Sequence, residues 1–283
     1  MNPLDTTFEA APAPSPEELP DSTDQAAPRL TPARLRVLSL LAFVGLWWLL
    51  AHSGKIPPLF LPGPEAVLAK LGVLATVGFM DATLWQHLGA SLARILLGLA
   101  LAVLIGIPLG VLMGRVDVAR ALLDPLVEAW RPVPPLAYLP LIVIWFGIGE
   151  LSKVILITLQ ILAAVLIATA HGVRHVSPER LRAAESLGAS RRQLLWHVVL
   201  PEALPDIVTG IRIGLGTGWS TLVAAELVAA TRGLGFMVQS AAQFLATDVV
   251  VLGILVIALV AFALELGLRA LQQHLAPWAL HKN

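Results

Sequence analysis

The chain contains no cysteine, which excludes disulfides, thiolate catalysis and cysteine-ligated metal. Charge is also scarce: only 13% of the 283 residues are Asp, Glu, Lys or Arg. The first 28 residues hold no Lys or Arg but six acids, Asp5, Glu9, Glu17, Glu18, Asp21 and Asp24. The formal net charge of zero therefore hides a remainder that carries about six more bases than acids. No Gly-x4-Gly-Lys-Ser/Thr loop is present, so this chain is not expected to hydrolyse ATP by itself. His-Glu-x-x-His, Gly-x-Ser-x-Gly and paired carboxylates at metal-ligand spacing are missing too, which disfavours an intramembrane enzyme. His171 and His175 have i, i+4 spacing but no third ligand, so they read as a helix end at the membrane edge. No cofactor or metal is expected, and nothing points to nucleic acid. The two halves share no repeat pattern, which disfavours a secondary transporter or channel.

What is abundant is apolar surface. Hydrophobic residues make up 57% of the chain and the mean hydropathy is +0.80. Apolar runs of bilayer length recur. They predict an all-α polytopic membrane protein with about six spans, near residues 37–51, 88–114, 121–146, 151–170, 206–229 and 249–271. Residues 1–30, rich in Pro, Ala, Ser and acids, read as a disordered acidic tail without the basic-then-apolar order of a signal peptide. Residues 31–283 form the expected membrane domain. With six spans and both termini in the cytoplasm, Lys and Arg concentrate on the inner side, as the positive-inside rule requires.

Two stripes of small residues stand out. Gly98, Ala102, Gly106, Gly110 and Gly114 recur every fourth position, and Gly210, Gly214 and Gly218 repeat the pattern. In lipid such stripes let helix backbones approach closely, so they indicate packing. The third expected span is unusual: residues 128–135 read Glu-Ala-Trp-Arg-Pro-Val-Pro-Pro. Prolines withdraw backbone donors, and bare carbonyls are tolerated at membrane depth only inside protein or along a water-filled cavity. Glu128 and Arg131 therefore either flank a translocation path, or pair with each other (i, i+3), or lie near the cytoplasmic interface. Gln160, Ser220, Thr221 and Glu226 are further polar groups within apolar helices, and they complete the candidate path set.

The longest polar interruption runs from Ser177 to Pro205. Ser177 suits an N-cap, Pro178 the first helical position, and Gly188 a helix end. Ser190 with Gln193 forms a capping-box pair for a second helix, which Leu200-Pro201 should stop. Asp206 then reads as the N-cap of the fifth span. Within this stretch come Ala183-Ala184, three residues, Gly188, nine residues, and Val198-Val199-Leu200-Pro201. The pattern resembles the EAA motif of ABC importer permeases, Glu-Ala-Ala-x3-Gly-x9-Ile-x-Leu-Pro. Arg182 stands where that motif has Glu, and Val198 where it has Ile.

The resemblance extends from about residue 57 to residue 278. Residues 61–67 (Leu-Pro-Gly-Pro-Glu-Ala-Val), residues 131–141 and residues 144–150 look like the nitrate, sulfonate and taurine branch of these permeases. Residues 218–240 look most like its taurine members. The resemblance implies a type I ABC importer permease fold in a bacterial inner membrane. A cytoplasmic coupling helix would carry Arg182, Ala183, Ala184, Glu185, Gly188, Leu200 and Pro201. It also implies a second copy of the chain, two ATPase subunits and one extracytoplasmic binding protein as partners. The substrate it implies is taurine or a related alkanesulfonate, with nitrate or another small anion as the alternative.

Overall fold

The computed structural model describes residues 32–275, so the acidic tail expected over 1–30 and the last eight residues lie outside the described residues. Twelve helical segments follow in order. They are α1 (Pro32–His52), α2 (Pro64–Thr76), α3 (Leu84–Arg115), α4 (Asp117–Trp130), α5 (Pro135–Phe146) and α6 (Glu150–Arg174). Then come α7 (Pro178–Ser186), α8 (Arg191–Leu194), a π-helical turn at Leu195–Val199, α9 (Leu200–Ala229), α10 (Leu234–Gln243) and α11 (Thr247–Leu275). The chain divides into two units, residues 1–46 and residues 47–283. The first is represented by the opening of α1, an apolar helix with Arg34 and Arg36 at its start. The packing and the sites described below belong to the second unit.

At the centre of this unit lies α6, packed between α3 and α9. Ile157, Ile161 and Val165 of α6 are fully buried. The two small-residue stripes produce this arrangement. The face of α3 turned to α6 repeats every three or four residues from Gly98 to Gly114, and a β-carbon added at Gly110 would lie 2.6 Å from Thr169 Cβ. On the other side, a β-carbon at Gly214 would lie 2.9 Å from Ile161 Cγ2. Only hydrogen fits at these points. Lipid is as apolar as these side chains, so close van der Waals packing rather than burial from water drives the association.

Among the described residues, five helices are long and apolar enough to cross a membrane: Arg34–His52, Leu84–Arg115, Glu150–Arg174, Arg191–Val228 and Thr247–His274. The expected third span, 121–146, is folded as two helices instead. Proline at 132, 134 and 135 interrupts it, and α5 has 12 residues, about 18 Å of helix against a hydrocarbon core of about 30 Å. A second difference concerns residues 191–229. Leu200-Pro201 does not stop the helix there, because the π turn precedes it. Leu200 N–H donates to Leu195 O, five residues back. The widened turn takes in the proline ring and its missing donor without ending the helix. Asp206 is consequently not an N-cap but lies inside α9.

At the end of this unit remote from α7, α2 packs on α11. Lys70 Nζ meets Asp248 Oδ2 at 3.0 Å.

Candidate functional site

Three features concentrate the polar groups. The first is the helical hairpin of α7 and α8. Ser177 Oγ accepts the Arg180 N–H at 3.4 Å and donates to Glu179 Oε2 at 2.5 Å. That donation holds the exposed Glu179 carboxyl below the usual carboxylate range. At the other end Gly188 takes φ +82°, with Ala189 N–H on Ala184 O at 3.1 Å and Gly188 N–H on Glu185 O at 2.9 Å. This is a Schellman cap, and the left-handed residue is the expected glycine. Ser190 and Gln193 form the capping box. Arg180 Nη1 bonds Glu202 Oε1 at 3.1 Å, tying the hairpin to α9. No residue of α7 is buried, Ala184 is half-buried, and Leu187 is 88% exposed. The hairpin thus presents a small-residue knob outward, capped at both ends.

The second feature is a trough of about 530 Å³ between the α4–α5 break, α6 and α9. Its floor is made of Ala163, Ala164 and Ala168 from α6, and its wall includes Trp130 and Tyr138. Trp130 Nε1 donates to Tyr138 Oη at 3.2 Å across the break. α6 and α9 run antiparallel: Gly172 faces Asp206, and Ile161 faces Gly214. This register puts His171 and Asp206 at the hairpin end of the trough, with Gln160 and Thr217 at the opposite end. His171 Nδ1 and Asp206 Oδ1 are 3.7 Å apart, and both side chains remain about half exposed. Arg131 reaches the trough from the break.

Of the six candidate path residues, the trough thus unites Arg131 and Gln160. Ser220 is exposed and continues the α9 face that carries Thr209, Ile213 and Thr217, each three or four residues apart. Glu128 is exposed and does not line the trough; among the described residues it makes no ion pair, with Arg131 or any other base. Thr221 is buried. Asp206, Thr209, Thr217 and His171 were missed as lining residues. For Asp206, Thr209 and Thr217 the signal was a polar stripe along α9, obscured by the expectation that Asp206 began the helix; His171 lies on α6.

Glu226 belongs to the third feature, a largely buried network at the end of the bundle remote from the hairpin. Its side chain is fully buried. Glu226 Oε1 accepts from Arg94 Nη1 at 2.6 Å and from Ser91 Oγ at 2.8 Å, and Oε2 accepts from Gly235 N–H at 2.8 Å. Arg94 is 4% exposed and makes a bidentate pair with Glu150, at 2.5 and 2.8 Å, while Lys153 Nζ adds 2.8 Å to the same carboxylate. Two acids and two bases cancel, as buried charge requires. His87 extends the network: Nδ1 accepts Gly233 N–H at 3.2 Å, so Nε2 carries the proton donated to Phe79 O at 3.0 Å. His87, Ser91 and Arg94 continue the α3 stripe, which is how the sequence could have revealed them. The network fastens α3, α6, α9 and α10 together around buried Arg94, Lys153 and Glu226.

A multi-helix membrane bundle with a broken helix beside a polar trough, and an exposed capped hairpin, defines a membrane transport subunit. The model of the family described as binding-protein-dependent transport system inner membrane component matches residues 106–281, and the chain belongs to that family. It is an ABC importer permease, a multi-pass inner-membrane transport subunit rather than an enzyme; members of the family work with ATPase and substrate-binding subunits. Among its relatives is the Escherichia coli (strain K12) taurine transport system permease protein TauC. The two are 63% identical over 245 residues, which is 86% of this chain and 89% of TauC. The E. coli putative aliphatic sulfonates transport permease protein SsuC is 36% identical, over 83% of this chain and 88% of its own. Among solved structures, the inward-facing MetNI methionine ABC transporter aligns with TM-score 0.57 at 19% identity, covering 68% of this chain and 95% of that one. That likeness concerns the fold alone.

Proposed function

We propose that this chain is the permease of an ATP-driven taurine importer. The observation that carries the reading is the 63% identity with TauC along most of both chains. Two copies would form the translocation unit, with two ATPase subunits on the cytoplasmic side and one extracytoplasmic binding protein. Both termini would be cytoplasmic, and residues 31–283 would constitute the permease domain behind an acidic tail. The hairpin is the coupling element in this reading. Arg182, Ala183, Ala184, Glu185 and Gly188 would enter a groove of the ATPase, while Leu200 and Pro201 carry its motion into α9. The exposure of α7 and the rigidity of its two caps support that role. Arg182 gives the knob a positive charge where the motif has an acid, so its ATPase contact would be acidic or neutral.

The path in this reading follows the trough past Arg131 and Gln160 and along the Ser220 face of α9. Groups half exposed to water bind a charged solute weakly. A permease needs weak contact, because it must release what the binding protein delivers. The deciding experiment deletes the gene and follows uptake of labelled taurine, ethanesulfonate and nitrate. Loss of taurine uptake, restored by the intact gene, is the expected result. Unimpaired taurine uptake with loss of either other anion would overturn the assignment.

A further inference from the structure

Resting on that reading, we propose that the trough is a transit subsite for a zwitterion, in which Asp206 receives the ammonium group of an aminoalkanesulfonate and Arg131 its sulfonate. The permease itself, and not only its binding protein, then discriminates against sulfonates that lack an amine.

The argument starts from charge placement. A path for a simple anion has no use for a carboxylate, since Asp206 would repel a bare sulfonate across an apolar floor. The trough nevertheless carries a guanidinium and a carboxylate on opposite sides of a smooth alanine surface, Arg131 from the α4–α5 break and Asp206 from α9, with the His171 imidazole beside Asp206. Neither is consumed by a strong partner. Arg131 makes no ion pair among the described residues, and the contact of Asp206 with His171 is long, at 3.7 Å, and half exposed. The contrast with Glu226, closed in by three donor groups, is plain.

Distances along the helices also fit. Val127 packs with Leu166 and Ala170, and Tyr138 packs at the level of Leu159, which brackets Arg131 between those levels of α6. The His171–Asp206 pair lies roughly one to two turns nearer the hairpin, about 5–10 Å. A flexible arginine arm and a two-carbon zwitterion together cover that gap. The trough as a whole, from Gln160 to His171, is about 16 Å long. One small solute therefore occupies the hairpin half and leaves the rest to water. The alanine floor makes no polar contact with the solute's carbons, so recognition falls on its two ends.

The test uses the permease assembled with its ATPase and binding protein in proteoliposomes. The permease has no native cysteine, so Thr209→Cys and Thr217→Cys each introduce a single thiol into it on the trough wall. Labelling of the permease by a small water-soluble thiol reagent is timed with taurine, ethanesulfonate or ethylamine present. Taurine should slow labelling, and the two single-ended compounds at equal concentration should not. Asp206→Asn should raise the half-protecting taurine concentration about fivefold, the size expected for one partly exposed charge contact. Asp206→Glu should retain protection. Equal protection by ethanesulfonate, absence of protection by taurine, or thiols that never react would each overturn the subsite. ATP-driven taurine uptake by the unsubstituted assembly is measured alongside. If uptake is absent, the taurine reading fails; if uptake is present without protection, only the subsite fails.

Discussion

Glu226→Gln is the sharpest probe of the bundle, because the substitution changes no volume and touches no solvent. Both carboxylate oxygens of Glu226 only accept: one from Arg94 and Ser91, the other from Gly235 N–H and Ser91. An amide supplies one acceptor and one donor, so whichever way Gln turns, its NH2 faces a donor. Rotating it toward Gly235 strands a buried backbone N–H. Rotating it the other way sets it against the guanidinium of Arg94. The charge balance also breaks, leaving Arg94 and Lys153 to share Glu150, whose side chain is 63% exposed. Removing one member of a buried pair costs about 3–5 kcal/mol, and the conserved shape of Gln puts the expectation near 3 kcal/mol. The assay is equilibrium unfolding of the purified permease in mixed micelles, followed by tryptophan fluorescence. Glu128→Gln serves as the control, since Glu128 is exposed and should change stability by less than about 0.5 kcal/mol. Equal stabilities for the two variants would refute the network as a structural fastening.

The other outcomes follow from the same contacts. Gly110→Val places two methyl groups where a β-carbon alone would lie 2.6 Å from Thr169 Cβ; separating α3 from α6 should cost about 1–3 kcal/mol and lower the yield of folded permease in membranes. Gly188→Leu must adopt φ +82°, at a cost of about 1–2 kcal/mol confined to the hairpin; membrane insertion should persist while co-purification of the ATPase is lost. Normal co-purification together with normal substrate-stimulated ATP hydrolysis would refute the coupling role of the hairpin. Ser220→Cys, on the exposed face of α9, should react with a small hydrophilic thiol reagent, whereas Thr221→Cys, buried one residue away, should not. Equal reactivity at the two positions would show that the path does not follow this face.

The sequence by itself determined features whose causes lie within one or two helical turns. The caps at Ser177, Gly188, Ser190 and Gln193 are made by hydrogen bonds between residues at most five positions apart, and each cap forms where the spacing requires it. The apolar runs and the glycine stripes are likewise local, because a repeat of four residues stays on one helix face whatever the neighbour is. The proline-rich break was legible as an interruption for the same reason. The family is also legible, because its motif occupies about twenty consecutive residues.

Tertiary structure alone decided which polar groups meet. Arg94 and Glu226 are 132 residues apart, and nothing near either one says that the first is fastened rather than free. Glu226, read as a path residue, is sealed because α10 returns over it. Asp206, read as a cap, faces the trough because the π turn carries the helix through Pro201. In each case the side chain's role depends on the register of α9 against α3 and α6. That register is set jointly by close contacts along both glycine stripes, each short in range but far apart in sequence. A periodic stripe announces that a helix will pack closely; it does not say at which height its partner will stand.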